Sequence, residues 1–173
     1  MFRAAPLLVI LTLAACGGSD DQNLTEKHSL QLQAEAWENR MPAALLPGQT
    51  PSCTPLIVWF SIRAGEAGSP VDLRALSVSL TKQGVVAWDQ PVSSSETGWT
   101  TRWTTAEDWL SLVGSSDGNP PPGTRVEQVF SGVARGCTTQ VFAEDDDLLV
   151  KVAIESKGES AWVESALKLQ AAY

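Results

Sequence analysis

LIVWFSI, from Leu56 to Ile62, gives the strongest indication of fold class in this 173-residue chain. The run is continuous and rich in β-branched and aromatic residues, which favour an extended backbone. A proline-containing loop, residues 41–55, leads into it. A short apolar run of this kind is typical of a central strand that is buried on both faces or nearly so. It therefore predicts a sheet in which residues 56–62 lie inside and not at an edge.

Further segments with strand character lie on both sides of residues 56–62. Residues 30–36 alternate apolar and polar side chains, which is the period of a half-buried strand. Six further segments carry the same pattern or a short apolar run: residues 71–80, 85–88, 126–133, 137–142, 148–154 and 161–169. Residues 82–84 and 156–159 contain glycine and separate neighbouring candidates, which suits hairpin turns.

The number and spacing of these segments predict an all-β fold. Seven or eight strands joined by turn residues favour two packed antiparallel sheets. This pattern resembles immunoglobulin-like and fibronectin-type β-sandwiches over residues 29–173, without the diagnostic cysteine–tryptophan–cysteine spacing. Residues 105–113 depart from it, because Thr104 is followed by Glu107 and then by apolar residues up to Gly114. That order predicts one short capped helix.

The N-terminal residues have the composition of an export signal. Arg3 precedes an apolar run, residues 4–13, which is shorter than the roughly 20 residues of a membrane-spanning helix. The sequence Leu13-Ala14-Ala15-Cys16 then resembles the lipobox of bacterial lipoproteins. The resemblance implies that residues 1–15 are a signal peptide, and that Cys16 is acylated and becomes the first mature residue. The alternative is an ordinary cleaved signal with an unmodified cysteine.

Acyl chains on Cys16 would hold the protein at a membrane of the bacterial cell envelope, since two or more chains give stable anchoring. Gly17 stands where an aspartate commonly retains lipoproteins at the inner membrane, so the resemblance implies the outer membrane in a Gram-negative cell. Residues 16–28 are small, polar and charged and predict a flexible tether. His28 ends this tether and is expected to be solvated. Residues 29–173 are expected to form a single domain.

Two cysteines remain after Cys16. In an exported chain, Cys53 and Cys137 most simply form one disulfide. It would close a loop of about 85 residues and contribute at most about 4–5 kcal/mol by the chain-entropy estimate. Two free buried thiols are the alternative. The formal net charge of -8 disfavours nucleic acid and anionic lipid as electrostatic partners.

The sequence contains no motif that predicts catalysis or a cofactor. A nucleophilic triad needs a histidine inside the fold, whereas the single histidine, His28, belongs to the predicted tether. No GxSxG, HExxH or phosphate-binding glycine loop is present in the sequence. The alternative is a small hydrolase, in which folding would bring two carboxylates together as the catalytic pair. Asp145, Asp146 and Asp147 are a weak candidate for calcium, which takes carboxylate oxygens. The alternative for this triplet is a solvated turn.

Seven tryptophans are the most unusual feature of the composition. Four of them lie in or at the end of apolar or alternating runs and are expected in the core: Trp37, Trp59, Trp88 and Trp162. The others, Trp99, Trp103 and Trp109, lie in a polar stretch. Trp99 and Trp103 would face the same way and, with Arg102, would stack on a sugar ring or hold an apolar partner residue. The alternative is that the predicted helix folds back and buries these rings.

The leading interpretation is a non-enzymatic envelope lipoprotein whose β-sandwich is an interaction or structural module, with an envelope protein or a glycan as its candidate partner. A rigid, disulfide-closed scaffold without a reactive group of residues can bind but has little to react with. One alternative is a glycan-binding module that uses Trp99 and Trp103. Another is a small hydrolase with an unrecognised carboxylate site. No cofactor is predicted, and the membrane is contacted through the lipid.

Replacing Cys16 by alanine removes the thiol that would carry the lipid. We expect the Cys16→Ala chain either to be released as soluble protein or to keep its leader, whereas the unaltered chain enters the detergent phase. Detergent phase partition, with mass spectrometry of the N-terminus, measures both outcomes. A Ser19→Ala chain is the control and should partition like the unaltered one. Identical partition of the Cys16→Ala chain would contradict lipidation.

Overall fold

The computed structural model describes residues 24–39, 53–65, 72–107, 122–143, 146–167 and 169–172. Within these ranges, nine strands form two packed sheets. In chain order they are β1 (Gln31–Asn39), β2 (Thr54–Arg63), β3 (Arg74–Lys82), β4 (Val85–Pro91), β5 (Thr97–Thr104), β6 (Arg125–Thr138), β7 (Leu148–Ser156), β8 (Glu159–Leu167) and β9 (Leu169–Ala172). A four-residue helix, α1 (Leu24–Lys27), precedes β1, and a 3-10 turn (Ser94–Glu96) precedes β5.

The two sheets divide the strands unequally. Sheet A has the order β5-β6-β2-β1-β9, and sheet B has the order β4-β3-β7-β8. Neighbouring strands run antiparallel except for β1 and β9, which are parallel. The prediction of an all-β sandwich of antiparallel sheets is confirmed in the described part of the chain, which contains nine strands where seven or eight were expected.

The core lies between the inner faces of the two sheets. In β2, which lies inside sheet A as predicted, four alternate side chains are at most 1% exposed: Leu56, Val58, Phe60 and Ile62. Sheet B contributes a matching buried set: Val78, Leu80, Val150, Val152 and Ile154. Each such side chain stabilises the fold by about 1.5–3 kcal/mol through its removal from water. The opposite face of β2 is only partly covered, because Trp59 is exposed.

Both predicted hairpins are present, and their backbone explains the residues at the turns. Gln83 and Gly84 join β3 to β4 with φ of 52° and 79°, and Lys157 and Gly158 join β7 to β8 with φ of 51° and 86°. Two consecutive positive φ angles define the type I′ turn, whose twist matches that of the flanking strands. Glycine at the second position adopts this conformation without steric strain.

Three strands and one helix differ from the sequence-based prediction. β5 and β9 were not predicted, and β6 is one continuous strand across two predicted segments. The helix expected over residues 105–113 does not begin at Thr104, because Thr104 ends β5 and residues 105–107 are not helical. The buried Thr104 hydroxyl donates to Glu127 Oε2 at 2.9 Å within sheet A and is not used to cap a helix. Residues 108–113 lie outside the described residues.

The folded domain includes residues that were predicted to belong to the tether. α1 is the first described element, and Leu24 is 4% exposed and packs in the core. Thr25 donates its hydroxyl to the carbonyl of Trp162 in β8 at 3.1 Å. The half-buried His28 accepts the N–H of Gly65 at its carbonyl, at 3.0 Å. The described fold therefore includes Leu24 to His28, which precede the domain boundary expected at residue 29, and residues 1–23 lie outside the described residues.

The predicted disulfide between Cys53 and Cys137 is present. It joins the start of β2 to the end of β6, and the two Cα atoms are 5.4 Å apart. Because β2 and β6 are neighbours, the bond lies within sheet A and does not cross the core. Within the described residues, no helix combines the length and the apolar composition that crossing a bilayer requires.

Gly132 in β6 is a tightly packed inward position of sheet A. A Cβ added there would meet the ring of Phe60, with Cε1 at 2.8 Å, and Thr97 Cγ2 at 2.7 Å. Because the Phe60 ring is buried, we expect Gly132→Ala to lower the free energy of unfolding by about 1–3 kcal/mol. Chemical denaturation measures this. Gly98→Ala in β5 is the matched control, since nothing lies within 4 Å of its added Cβ. Equal midpoints for the two variants would contradict this packing.

Candidate functional site

Three of the four tryptophans predicted in the core are exposed. Trp88 is buried, at 4%, but Trp37, Trp59 and Trp162 are 38%, 37% and 54% exposed. Each of these three occupies an outward position of its strand and has buried residues on both sides in the sequence. Their prediction as core residues is therefore wrong. Trp109 lies outside the described residues.

Trp37 and Trp59 form a pair on the outer face of sheet A. Their ring centroids are 6.3 Å apart and their planes are at 85°, which is the favourable edge-to-face geometry. They lie on adjacent strands in diagonal register, because Trp37 is opposite Ile57 and Trp59 is opposite Val133. These four residues form an outward apolar surface, which we call the tryptophan face. Regular hydrogen bonding of β1, β2 and β6 fixes its backbone.

A polar network occupies another part of the same outer face. Its centre is the Glu127 carboxylate, which lies 2.5 Å from Arg125 Nε and 3.8 Å from an amino nitrogen of Arg63. Ser61 and Ser131 join their hydroxyls at 3.0 Å nearby. Two arginines thus balance the charge of Glu127, and the Thr104 hydroxyl donates a hydrogen bond to the same carboxylate. These contacts connect β6 to β5 and β2, and they occupy the carboxylate oxygens of Glu127 with partners from the same chain.

The chain leaving β5 returns over the outer face of sheet A. The backbone carbonyl of Glu107 accepts a hydrogen bond from the Gln33 amide at 3.4 Å, although three strand positions separate β5 from β1 in the sheet. Two outward-pointing residues of sheet A, Ser61 and Val129, are fully buried. The polar network is consequently covered in part, whereas the tryptophan face remains open.

The predicted site of Trp99, Arg102 and Trp103 is divided between the two faces of β5. Trp99 and Trp103 share one face, as predicted for a strand, and both are half-buried. Arg102 points to the other face, where its Nε donates to Thr100 Oγ1 at 3.2 Å and burial lowers the pKa of its guanidinium. Trp99 packs edge to face on Phe130, with ring centroids 5.8 Å apart. The three residues therefore do not converge on one ligand.

Trp99 instead lines a cleft of about 390 Å³ at the edge of the sandwich, here called the edge cleft. It opens where the chain passes from β4 in sheet B to β5 in sheet A. Its apolar lining includes Leu73, Ala75, Val92 and Phe130, and its polar lining includes Asp72, Arg74, Ser94 and Thr97. A bulge in β3 widens this region, because the register with β7 shifts between Ala75 and Ser77. The carbonyl of the bulged Leu76 accepts the N–H of Val92 at 3.0 Å.

The aspartate triplet is only partly described. Asp146 Oδ2 lies 2.5 Å from Lys82 Nζ and accepts the N–H of Ala143 at 2.7 Å. These bonds hold the pKa of Asp146 below its ordinary value of 3.8. Asp147 is exposed, and Asp145 lies outside the described residues. In the described part of the chain, no three histidine, cysteine, aspartate or glutamate side chains come together as metal ligands would.

Sequence reasoning missed both the tryptophan face and the edge cleft. A signal for the first exists, because Trp37 has the same strand parity as Gln31, Gln33 and Glu35 and so belongs to the polar face of β1. Trp162 likewise shares its parity with Ser160 and Glu164. The edge cleft has no such signal, since its lining comes from segments that are distant in the sequence.

Comparisons with protein-family models, curated proteins and solved structures gave no match for this chain. The geometry of the described residues is therefore the basis for a functional proposal.

The ion pair of Asp146 predicts a pH-dependent stability. A carboxylate with a lower pKa in the folded chain stabilises the fold above its unfolded pKa, and this contribution is lost as the pH falls through the folded value. We therefore expect Asp146→Asn to be less stable than the unaltered chain at pH 7, and the difference to shrink as the pH falls from 7 through the folded pKa. Denaturant melts across this range measure it. Asp147→Asn is the control, and a pH-independent gap for Asp146→Asn would refute the assignment.

Proposed function

We propose that this chain is a lipid-anchored protein of the bacterial cell envelope whose β-sandwich is a non-enzymatic binding module. The observation that carries the proposal is the outward-facing pair of Trp37 and Trp59. A partner that covers the tryptophan face removes large apolar surfaces from water at about 25 cal/mol per Å². Because paired strands hold both rings, little side-chain freedom is lost on binding. Tryptophans in such central positions commonly dominate binding energy.

We also propose that the sandwich is immunoglobulin-like. That architecture places strands A, B, E and D in one sheet and strands C, F and G in the other, with C′ added beside C in variable-type domains. The order β1-β2-β6-β5 in sheet A and the order β4-β3-β7-β8 in sheet B agree with this arrangement. β9 is additional, and the disulfide joins two neighbours within sheet A. Since this architecture serves many activities, it supports a scaffold role and selects no partner.

Export and anchoring are supported by two independent features. The lipobox resemblance ends at Cys16, and the disulfide between Cys53 and Cys137 suits an oxidising compartment outside the cytoplasm. Seven residues separate Cys16 from Leu24, where the described fold begins. Fully extended, this connection spans roughly 30 Å at most. An acylated Cys16 would thus keep the binding module close to the membrane surface, where envelope proteins and glycans are its candidate partners.

Photo-crosslinking of the full-length chain in cells tests the binding role. We expect Trp37→p-benzoylphenylalanine to form an adduct of discrete mass, because the photoreactive ring would lie in the contact. Adding Trp59→Ala should weaken the adduct severalfold, since it removes the adjoining ring from the tryptophan face. Mass spectrometry then distinguishes a protein from a glycan.

The matched control places the same photoreactive residue at Trp162, which is more exposed but lies on the outer face of sheet B. This position should give no equivalent adduct. Circular dichroism of the Trp59→Ala chain should show an intact fold, because the ring lies outside the core. Absence of an adduct at position 37, or the same adduct at both positions, would contradict the proposed binding role.

A further inference from the structure

We infer that the edge cleft is a second binding site, and that it takes a neutral saccharide unit. This inference goes beyond the proposed function, because the tryptophan face lies on the outer side of sheet A and the edge cleft opens between the sheets. The two sites share no residue. Loss of one would leave the geometry of the other unchanged.

The size and position of the edge cleft suit a small ligand. Its volume of about 390 Å³ falls within the range of roughly 300–1,000 Å³ that is usual for ligand pockets. The bulge at Leu76 and the crossing of the chain between sheets create the space. Bulges of this kind recur beside binding sites because they redirect a strand without ending it.

The apolar lining offers a fixed aromatic surface. The indole of Trp99 is held by its edge-to-face contact with Phe130, and Leu73 and Val92 lie in the same lining. The face of an aromatic ring carries partial negative charge. One face of a pyranose presents C–H groups with partial positive charge. Stacking of a sugar ring on the half-buried Trp99 indole would therefore bring opposite partial charges together and remove two apolar surfaces from water.

The polar lining determines which saccharide fits. Asp72 accepts hydrogen bonds, and the hydroxyls of Ser94 and Thr97 both donate and accept them. Arg74 also lines the cleft, and its guanidinium lies 3.6 Å from Glu155 in β7. Adjacent ring hydroxyls of a sugar both donate and accept, so they match this mixed set. Glu155 balances the charge of Arg74, so the residues that line the cleft offer no unpaired cation to an anionic ligand. Since the whole chain carries a formal charge of -8, an anionic saccharide would be repelled.

Titration of the mature chain tests the inference. The ¹⁵N-labelled protein is held in phosphocholine detergent, which contains no sugar headgroup, and cellobiose, chitobiose and maltose are added. The indole N–H signals of the seven tryptophans are recorded, and the signal that Trp99→Phe removes is assigned to Trp99. We expect at least one neutral disaccharide to shift the Trp99 signal along a saturating curve. Digalacturonate, as the anionic probe, should bind at least tenfold more weakly.

Variants localise the binding to the edge cleft. Asp72→Asn should weaken it about tenfold or more, because a hydrogen bond to a charged group is lost. Asp89→Asn makes an equal charge change at an exposed position of β4 and should leave the binding unchanged. Ser94→Trp adds bulk at an exposed lining position and should abolish the Trp99 shift. Trp37→Ala with Trp59→Ala should preserve it, which separates this site from the tryptophan face.

Three results would overturn the inference. One is the absence of a saturable Trp99 shift with all three neutral disaccharides. Another is a shift that persists in the Ser94→Trp chain, which would place the ligand elsewhere. The third is tighter binding of digalacturonate than of the neutral probes, since that would contradict the charge argument.

Discussion

The two-residue period of β2 sets which residues of sheet A point into the core and which point outward. Successive side chains of a strand point to opposite faces, so Val58 and Phe60 are in the core while Ile57 and Trp59 are not. Because β1 and β6 pair with β2 on either side, its register fixes theirs. A shift by one residue would move the buried set to the outer face. The core and the tryptophan face are thus two consequences of one register.

The sequence predicts the sandwich well where strand patterns are strong. The apolar run of β2, the alternation in β1 and the glycine-containing turns of both hairpins lead to the observed elements. β5 lacks such a pattern, because it is an edge strand whose outward threonines and glycine resemble a loop. β9 is only four residues long and follows directly after β8 in the other sheet. Its pairing with β1 is a long-range contact that local patterns do not encode.

Candidate sites were harder to predict than strands, for two different physical reasons. Prediction of the tryptophan face depends on which face of β1 and β2 is inward. The large apolar side chain of Trp37 indicates the core, whereas its parity places it on the polar face of β1. The edge cleft requires the positions of Leu73, Val92 and Phe130 in space. Arg102 illustrates the same limit, since its place one residue before Trp103 puts it on the opposite face of β5. Sequence proximity in a strand is therefore a poor guide to a shared site.

The parallel pairing of β1 and β9 has a mechanical consequence. The chain enters β1 at Gln31, whereas β9 runs beside the far end of β1, where Ala172 is opposite Asn39. A force that draws the start of β1 away from the end of β9 would load this pair along its length. All of its hydrogen bonds would then be sheared together, and none would be peeled open singly. The domain would thereby resist traction applied between these two points.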